Sequence, residues 1–179
     1  MPDNIILRPA TPADLPDITA LDRDLFSEYG TTEDEAIIRA RLEVFPAGCV
    51  VLEEQADGQR PRFVGYLTAE KWAAAREPSL DEDPRVTHVP DGRVLNITTL
   101  AVGRADQGRG LGARLLAFAE DLARRDGCDE IILEAEQAER FYQRYGFETL
   151  GERRQRGARL TVMRKRLGGT LLSPDGCEA

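Results

Sequence analysis

The chain has a single histidine, His88, and three cysteines, Cys49, Cys128 and Cys177, set far apart. An odd number of cysteines at wide spacings makes neither a disulfide framework nor a metal-ligand pattern. One histidine leaves a zinc site without its usual ligands, so no metal is expected. No apolar run approaches the ~20 residues that a membrane-spanning helix needs, and no signal peptide opens the sequence. Basic charge is in deficit: 24 Lys and Arg stand against 32 Asp and Glu, a formal charge of −8. A polyanion is repelled by such a surface at long range, which argues against non-specific nucleic-acid binding. These absences point to a reduced, cytoplasmic protein, a monomer or homodimer, with no nucleic-acid or membrane partner. The acidic balance is compatible with a cationic substrate.

What is present suits one soluble domain. The 179 residues are 41% hydrophobic and 31% charged, enough for a substantial core without staples. Residues 1–167 are expected to form that domain. Residues 168–179 carry adjacent glycines and a proline without pattern and are expected to be a flexible tail.

The chain is organised around residues 94–125. Residues 94–102 are apolar and partly β-branched and read as a buried strand. Leu111, Leu115, Phe118 and Leu122 recur at helical spacing. Between them, Gly108, Gly110 and Gly112 crowd the helix start. Glycines there bare the backbone N–H groups, and a helix N-terminus adds unpaired donors and partial positive charge. Together they make an anion site, best suited to phosphate.

The flanking segments read as follows. Residues 4–8 form a strand, and Thr11-Pro12-Ala13-Asp14 starts a helix with Leu15, Ile18, Leu21, Leu25 and Phe26 on its apolar face. Thr32 and Glu35 have capping-box spacing for a second helix. Residues 49–53 and 62–70 form an antiparallel hairpin. A short helix is expected from Trp72 to Arg76. Residues 77–92, with Asp81, Glu82 and Asp83, read as a long surface loop. Gly127 caps the central helix, residues 130–135 form a strand parallel to the first, residues 137–145 a helix, and residues 147–153 and 159–167 a final strand pair.

Three phosphate-binding readings compete. A triphosphate P-loop requires Gly-Lys-Ser/Thr, but Ala113 and Arg114 follow Gly112. Gly108, Gly110 and Ala113 fit a dinucleotide fingerprint, yet residues 103–107 separate them from the strand and no second mononucleotide half follows. A bare turn would need one glycine rather than three. The string from Gln107 to Gly112 resembles the Gln/Arg-x-x-Gly-x-Gly/Ala signature of the GNAT superfamily of acyl-CoA-dependent N-acyltransferases. Residues 141–147, Phe-Tyr-Gln-Arg-Tyr-Gly-Phe, resemble that family's second motif, and the order of elements agrees over about residues 4–167.

The resemblance implies an α/β (α+β) GNAT fold: a mixed, mostly antiparallel sheet with a splayed parallel pair at its centre and helices on both faces. It implies acetyl-CoA as cofactor. Backbone groups of Gln107, Gly108, Arg109, Gly110, Leu111 and Gly112 would hold the pyrophosphate, and Leu100, Ala101 and Val102 the pantetheine arm. Tyr142 would be the general acid for the leaving thiolate. The chain departs from the family at Ala135, where many members have asparagine.

Residues 72–102 also look similar to the arylalkylamine N-acetyltransferase branch, through Trp72 and the segment His88-Val-Pro-Asp-Gly92. Asn96 and Thr98 stand where the vertebrate enzymes of that branch carry histidines. Neither is a base at neutral pH, so Glu70 and Glu136, with Glu134, become the candidate bases, and Asn96, Thr98 and Trp72 candidate substrate contacts. The implied activity is acetylation of a small-molecule primary amine. The alternatives are a non-catalytic acyl-CoA sensor, a protein lysine or N-terminal acetyltransferase, and, more distantly, a dinucleotide-dependent oxidoreductase.

Overall fold

A computed structural model describes residues 4–79 and 82–168. Asp81, Cys177 and all but Gly168 of the expected tail at 168–179 lie outside the described residues. Seven strands form one sheet in the order β1-β2-β3-β4-β5-β7-β6. They are β1 (Ile5–Pro9), β2 (Val50–Glu54), β3 (Arg62–Trp72), β4 (Val94–Val102), β5 (Glu130–Ala135), β6 (Glu148–Gln155) and β7 (Ala158–Arg166). Every pairing is antiparallel except β4 with β5.

That parallel pair stops early. Its register runs only from Val94 opposite Glu130 to Ile97 opposite Leu133. The cause lies on the other side of β4. Thr68 of β3 faces Thr99, but Ala69 faces Ile97, so Thr98 is an extra residue. A bulge of this kind bends its strand, and here it turns residues 98–102 away from β5. The Thr98 hydroxyl meets the Thr68 hydroxyl at 2.7 Å.

Helices cover both faces. α4 (Leu111–Arg125) lays Leu111, Leu115, Ala119 and Leu122 against Leu67, Leu95, Ile131 and Met163. Each such leucine contributes roughly 1.5–3 kcal/mol of burial. The helix stops at Gly127, whose φ of +73° suits glycine. There the Gly127 N–H donates to Arg124 O and the Cys128 N–H to Ala123 O, which satisfies two terminal carbonyls. α5 (Glu139–Arg144) packs on the same face through Phe141 and Tyr142. On the opposite face α1 (Leu15–Phe26) and α2 (Glu35–Val44) bury Leu15, Ile18, Ile38 and Leu42 against Val51, Tyr66 and Ala101.

Several local expectations need correction. α2 is capped by Asp34, whose carboxylate accepts the Ala36 N–H at 2.9 Å, and not by Thr32 with Glu35. Residues 72–76 are not helical. β3 runs on through Trp72, and pairing with Val94 outweighs the alanine-rich helix signal that follows. The long loop contains a helical turn, α3 (Pro84–Thr87), and is tied back to β3. There the Val89 N–H donates to Lys71 O at 2.8 Å, and His88 Nδ1 accepts the Lys71 N–H at 3.1 Å. His88 stacks on Phe45 with ring centroids 4.8 Å apart, and burial pushes its pKa down. Gly92 is required by proximity, because a Cβ there would lie 2.5 Å from the Trp72 carbonyl oxygen.

Candidate active site

Where β4 leaves β5, a cleft of about 720 Å³ opens. One wall is β4 from Ile97 to Val102, the other is the end of β5 and α5. The start of α4 closes one end, and α1 with the α1–α2 connection closes the other.

The α4 end is built from backbone. Gly108 and Gly110 have φ of +79° and +78°, and a Cβ at either would meet nothing within 4 Å. These glycines therefore serve backbone conformation, and they leave the first amides of α4 uncovered. Gln107 Nε2 donates to Val102 O at 3.2 Å and ties the loop to the strand. Beneath it the Asp106 carboxylate accepts both Arg62 Nη atoms at 2.8 Å and Arg109 Nη1 at 2.7 Å, while Arg109 Nη2 reaches Glu54 at 2.8 Å. Those cations hold the Asp106 carboxyl below its ordinary range. The Arg109 guanidinium is thus committed behind the loop and does not line the cleft. Gln107, Gly108, Gly110, Leu111 and Gly112 do line it, as do Leu100, Ala101 and Val102. Beyond Ile97, β4 pairs with β3 alone, so its other backbone edge is open to an extended ligand.

Tyr142 lines the middle of the cleft. It is 7% exposed and sits edge-on to Phe141 and Phe147, at 5.0 and 5.6 Å between centroids. Burial alone pushes its pKa upward, so the phenol stays protonated. Its hydroxyl makes no hydrogen bond to any described residue.

The α1 end is rich in carboxylates. Glu136 lines it, raised in pKa by burial, with Oε2 enclosed and unpartnered among the described residues. Glu134 is also raised by burial but is ion-paired with Arg153. Glu33 pairs with Arg41 and accepts the Thr99 hydroxyl at 2.8 Å. Asp22, 1% exposed, accepts the Tyr66 hydroxyl at 3.0 Å and the Glu33 N–H at 2.9 Å.

Not every residue singled out in the sequence reaches this cleft. Glu70 is 3% exposed and takes no part in lining the cleft; it accepts the Trp72 Nε1–H at 2.7 Å and the Thr87 hydroxyl at 3.0 Å. Trp72 packs with Val94, Ile132 and Val162, against the closed part of the parallel pair. Asn96 is buried opposite Glu70, with Oδ1 unpartnered among the described residues. Of that group only Thr98, at the bulge, lines the cleft. Asp22 and Glu33 line the cleft without having been singled out in the sequence. One signal for Asp22 was available: it falls on the apolar stripe of α1, four residues after Ile18.

The model of the acetyltransferase (GNAT) family matches residues 15–147, which span the bulged strand, the glycine loop and α5. The chain belongs to this family. Among curated protein sequences none matches significantly. The GNAT chain is similar to solved structures at low identity. yncA from Salmonella typhimurium, solved with its cofactor acetyl-CoA, is 24% identical with a TM-score of 0.65, over 97% of this chain and 99% of that one. N-acetylglutamate synthase from Neisseria gonorrhoeae, complexed with coenzyme A and N-acetyl-glutamate, is 24% identical with a TM-score of 0.66, over 92% of this chain and 35% of that one. Arabidopsis thaliana Naa50, in complex with the bisubstrate analogue CoA-Ac-MVNAL, is 17% identical with a TM-score of 0.66, over 90% and 98%. At such identities the likeness shows the fold.

Acetyl-CoA is the cofactor of a GNAT acetyltransferase, and the residues present fit it. Bare amides at a helix N-terminus suit a pyrophosphate, and the free edge of β4 suits an amide-bearing arm. Gly110→Ala tests the cradle. Forcing alanine to φ near +78° costs about 1–2 kcal/mol. The expected outcome is at least ~10-fold weaker acetyl-CoA binding by calorimetry with the fold retained.

Proposed function

We propose that this protein transfers the acetyl group of acetyl-CoA to the primary amine of a small molecule, by direct attack of the amine. The observation that carries the reading is the continuity of one cleft, which joins the amide cradle at Gln107–Gly112, the Tyr142 hydroxyl and the carboxylates beside α1.

Acetyl-CoA supplies the activated thioester carbonyl. Residues 107–112 bind its pyrophosphate, and the free edge of β4 at Leu100, Ala101 and Val102 aligns its arm. A backbone N–H of that edge stabilises charge developing on the carbonyl oxygen. Tyr142 gives a proton to the departing sulfur. Glu136, with its enclosed oxygen, and the bulge residue Thr98 hold the incoming ammonium. An alkylammonium has a pKa near ~10, so releasing its proton at pH 7 costs about 4 kcal/mol, and a nearby carboxylate can lower that cost.

The loop after α1 meets the β6–β7 tip, where a Cβ on Gly30 would lie 3.3 Å from Arg156 O. Tyr29 and Thr31, on either side of that glycine, line the cleft, and a loop held there favours a compact substrate. The arylalkylamine likeness gains less support, since Trp72, Asn96 and His88 stand outside the cleft.

The deciding experiment follows thiol release from acetyl-CoA with a panel of small primary amines beside peptides with free N-termini. Turnover confined to small amines is expected. Turnover with peptides alone would replace the acceptor assignment, and tight acetyl-CoA binding without turnover would make the protein a sensor.

A further inference from the structure

We infer that Asp22 is the residue that takes the proton of the acceptor ammonium. This inference rests on the acetyltransferase reading above.

Four carboxylates line the acceptor end, and their partners separate them. Glu33 is closed into its ion pair with Arg41, and Glu134 into its pair with Arg153. Glu136 is only partly buried and, in the reading above, holds the ammonium through its enclosed oxygen. Asp22 is 1% exposed, lines the cleft, and has no cation within ion-pair distance among the described residues. Its two oxygens each accept one neutral donor, the Tyr66 hydroxyl and the Glu33 N–H. A carboxylate has about four acceptor sites, so capacity for another donor remains. Tyr66 is wholly buried, with its phenol held well above the ordinary range, so it stays a donor and fixes the carboxylate in place.

The surroundings suit a base that works near neutrality. The groups that act on Asp22 are Tyr66 from β3 and Glu33 and Arg41 from the α2 side, while Arg104 and Glu136 line the same cleft. Burial is the largest influence and raises the Asp22 pKa to about 6, with Glu33 adding to it and Arg41 and the two hydrogen bonds opposing it. A base near the working pH combines ionisation with proton affinity.

The proton balance closes. Asp22 takes one proton as an ammonium N–H bond breaks, directly or through one water, and the freed lone pair forms the bond to the carbonyl carbon. Tyr142 donates its proton to sulfur as the C–S bond breaks. The second nitrogen proton, lost as the amide forms, restores the Tyr142 phenol. Asp22 returns its proton to solvent, and the net change is one ammonium and one thioester converted to one amide, one thiol and one proton.

The test compares kcat/KM against pH for wild type and Asp22→Asn, using the alkylamine that the panel turns over fastest. At pH 7 the variant is expected to lose about 100-fold. The deficit should shrink as pH approaches ~10, where the amine is neutral unaided, while KM for acetyl-CoA stays constant. A loss equal at every pH, or no loss, would overturn the assignment. Should Asp22→Asn fail to fold, Tyr66→Phe removes one donor from the carboxylate and keeps the base. It should move the acidic limb of the profile to higher pH, and a limb that stays in place overturns the inference. A wild type inert to every amine and peptide overturns the acetyltransferase reading itself, and this inference with it.

Discussion

Arg41→Met is expected to cost about 3–5 kcal/mol of stability, the largest effect of any single substitution considered for this fold. The Arg41 and Glu33 side chains are 4% and 3% exposed and pair directly. Methionine keeps most of the volume but leaves the Glu33 carboxylate buried with, among the described residues, the Thr99 hydroxyl 2.8 Å away as its remaining side-chain donor. An unpaired buried charge must reach water or be neutralised, and either distorts the α1–α2 connection. That connection also supplies the N–H that Asp22 accepts, so turnover should fall with stability. The double variant Glu33→Gln, Arg41→Met removes both charges and should recover most of the loss, since a buried pair is often replaceable by neutral groups. Urea midpoints of the wild type, the two single variants and the double variant measure this. A single-variant loss below ~1 kcal/mol would mean that the pair is solvated in solution and that the α1 end of the cleft is more open than described.

How much of this was legible in the sequence depended on distance along the chain. The α4 stripe, the Gly127 cap and the β5 strand are local patterns, each written within a dozen residues, and the structure follows them closely. The glycines at 108 and 110 announced an exposed backbone for the same reason. The acceptor end has no such local signature. It joins Asp22 of α1, Thr31 and Glu33 of the next connection, Thr98 and Thr99 of β4, and Glu134 and Glu136 of β5, residues that only the sheet brings together. The bulge at Thr98 was equally hidden, because it is a register difference between two strands and leaves no mark on either alone. Glu70 shows the converse. Its place in the chain suggested a cleft edge, but β3 runs two residues further than its pattern implied. The carboxylate lies outside the cleft lining, opposite Asn96, and accepts from Trp72 and Thr87.

Tyr142→Phe should leave the fold nearly untouched and cut turnover about 100-fold. The ring is fixed by its edge contacts with Phe141 and Phe147, and phenylalanine keeps both. The lost hydroxyl makes no hydrogen bond to a described residue, so its removal strands no buried partner, and the melting temperature should change little. Acetyl-CoA affinity should also hold, because the cradle at residues 107–112 is backbone on another element. In the proposed mechanism, what disappears is the proton for the leaving sulfur. Burial keeps the phenol protonated across the working range, so the wild type should show no alkaline limb from this group below pH ~10. The decisive comparison uses acetyl thioesters of progressively more acidic thiols. A better leaving group needs less protonation, so the deficit of the phenylalanine variant should narrow along that series. A deficit that stays constant would make Tyr142 a wall of the cleft, and a variant with full activity on acetyl-CoA would show that the thiolate leaves unaided.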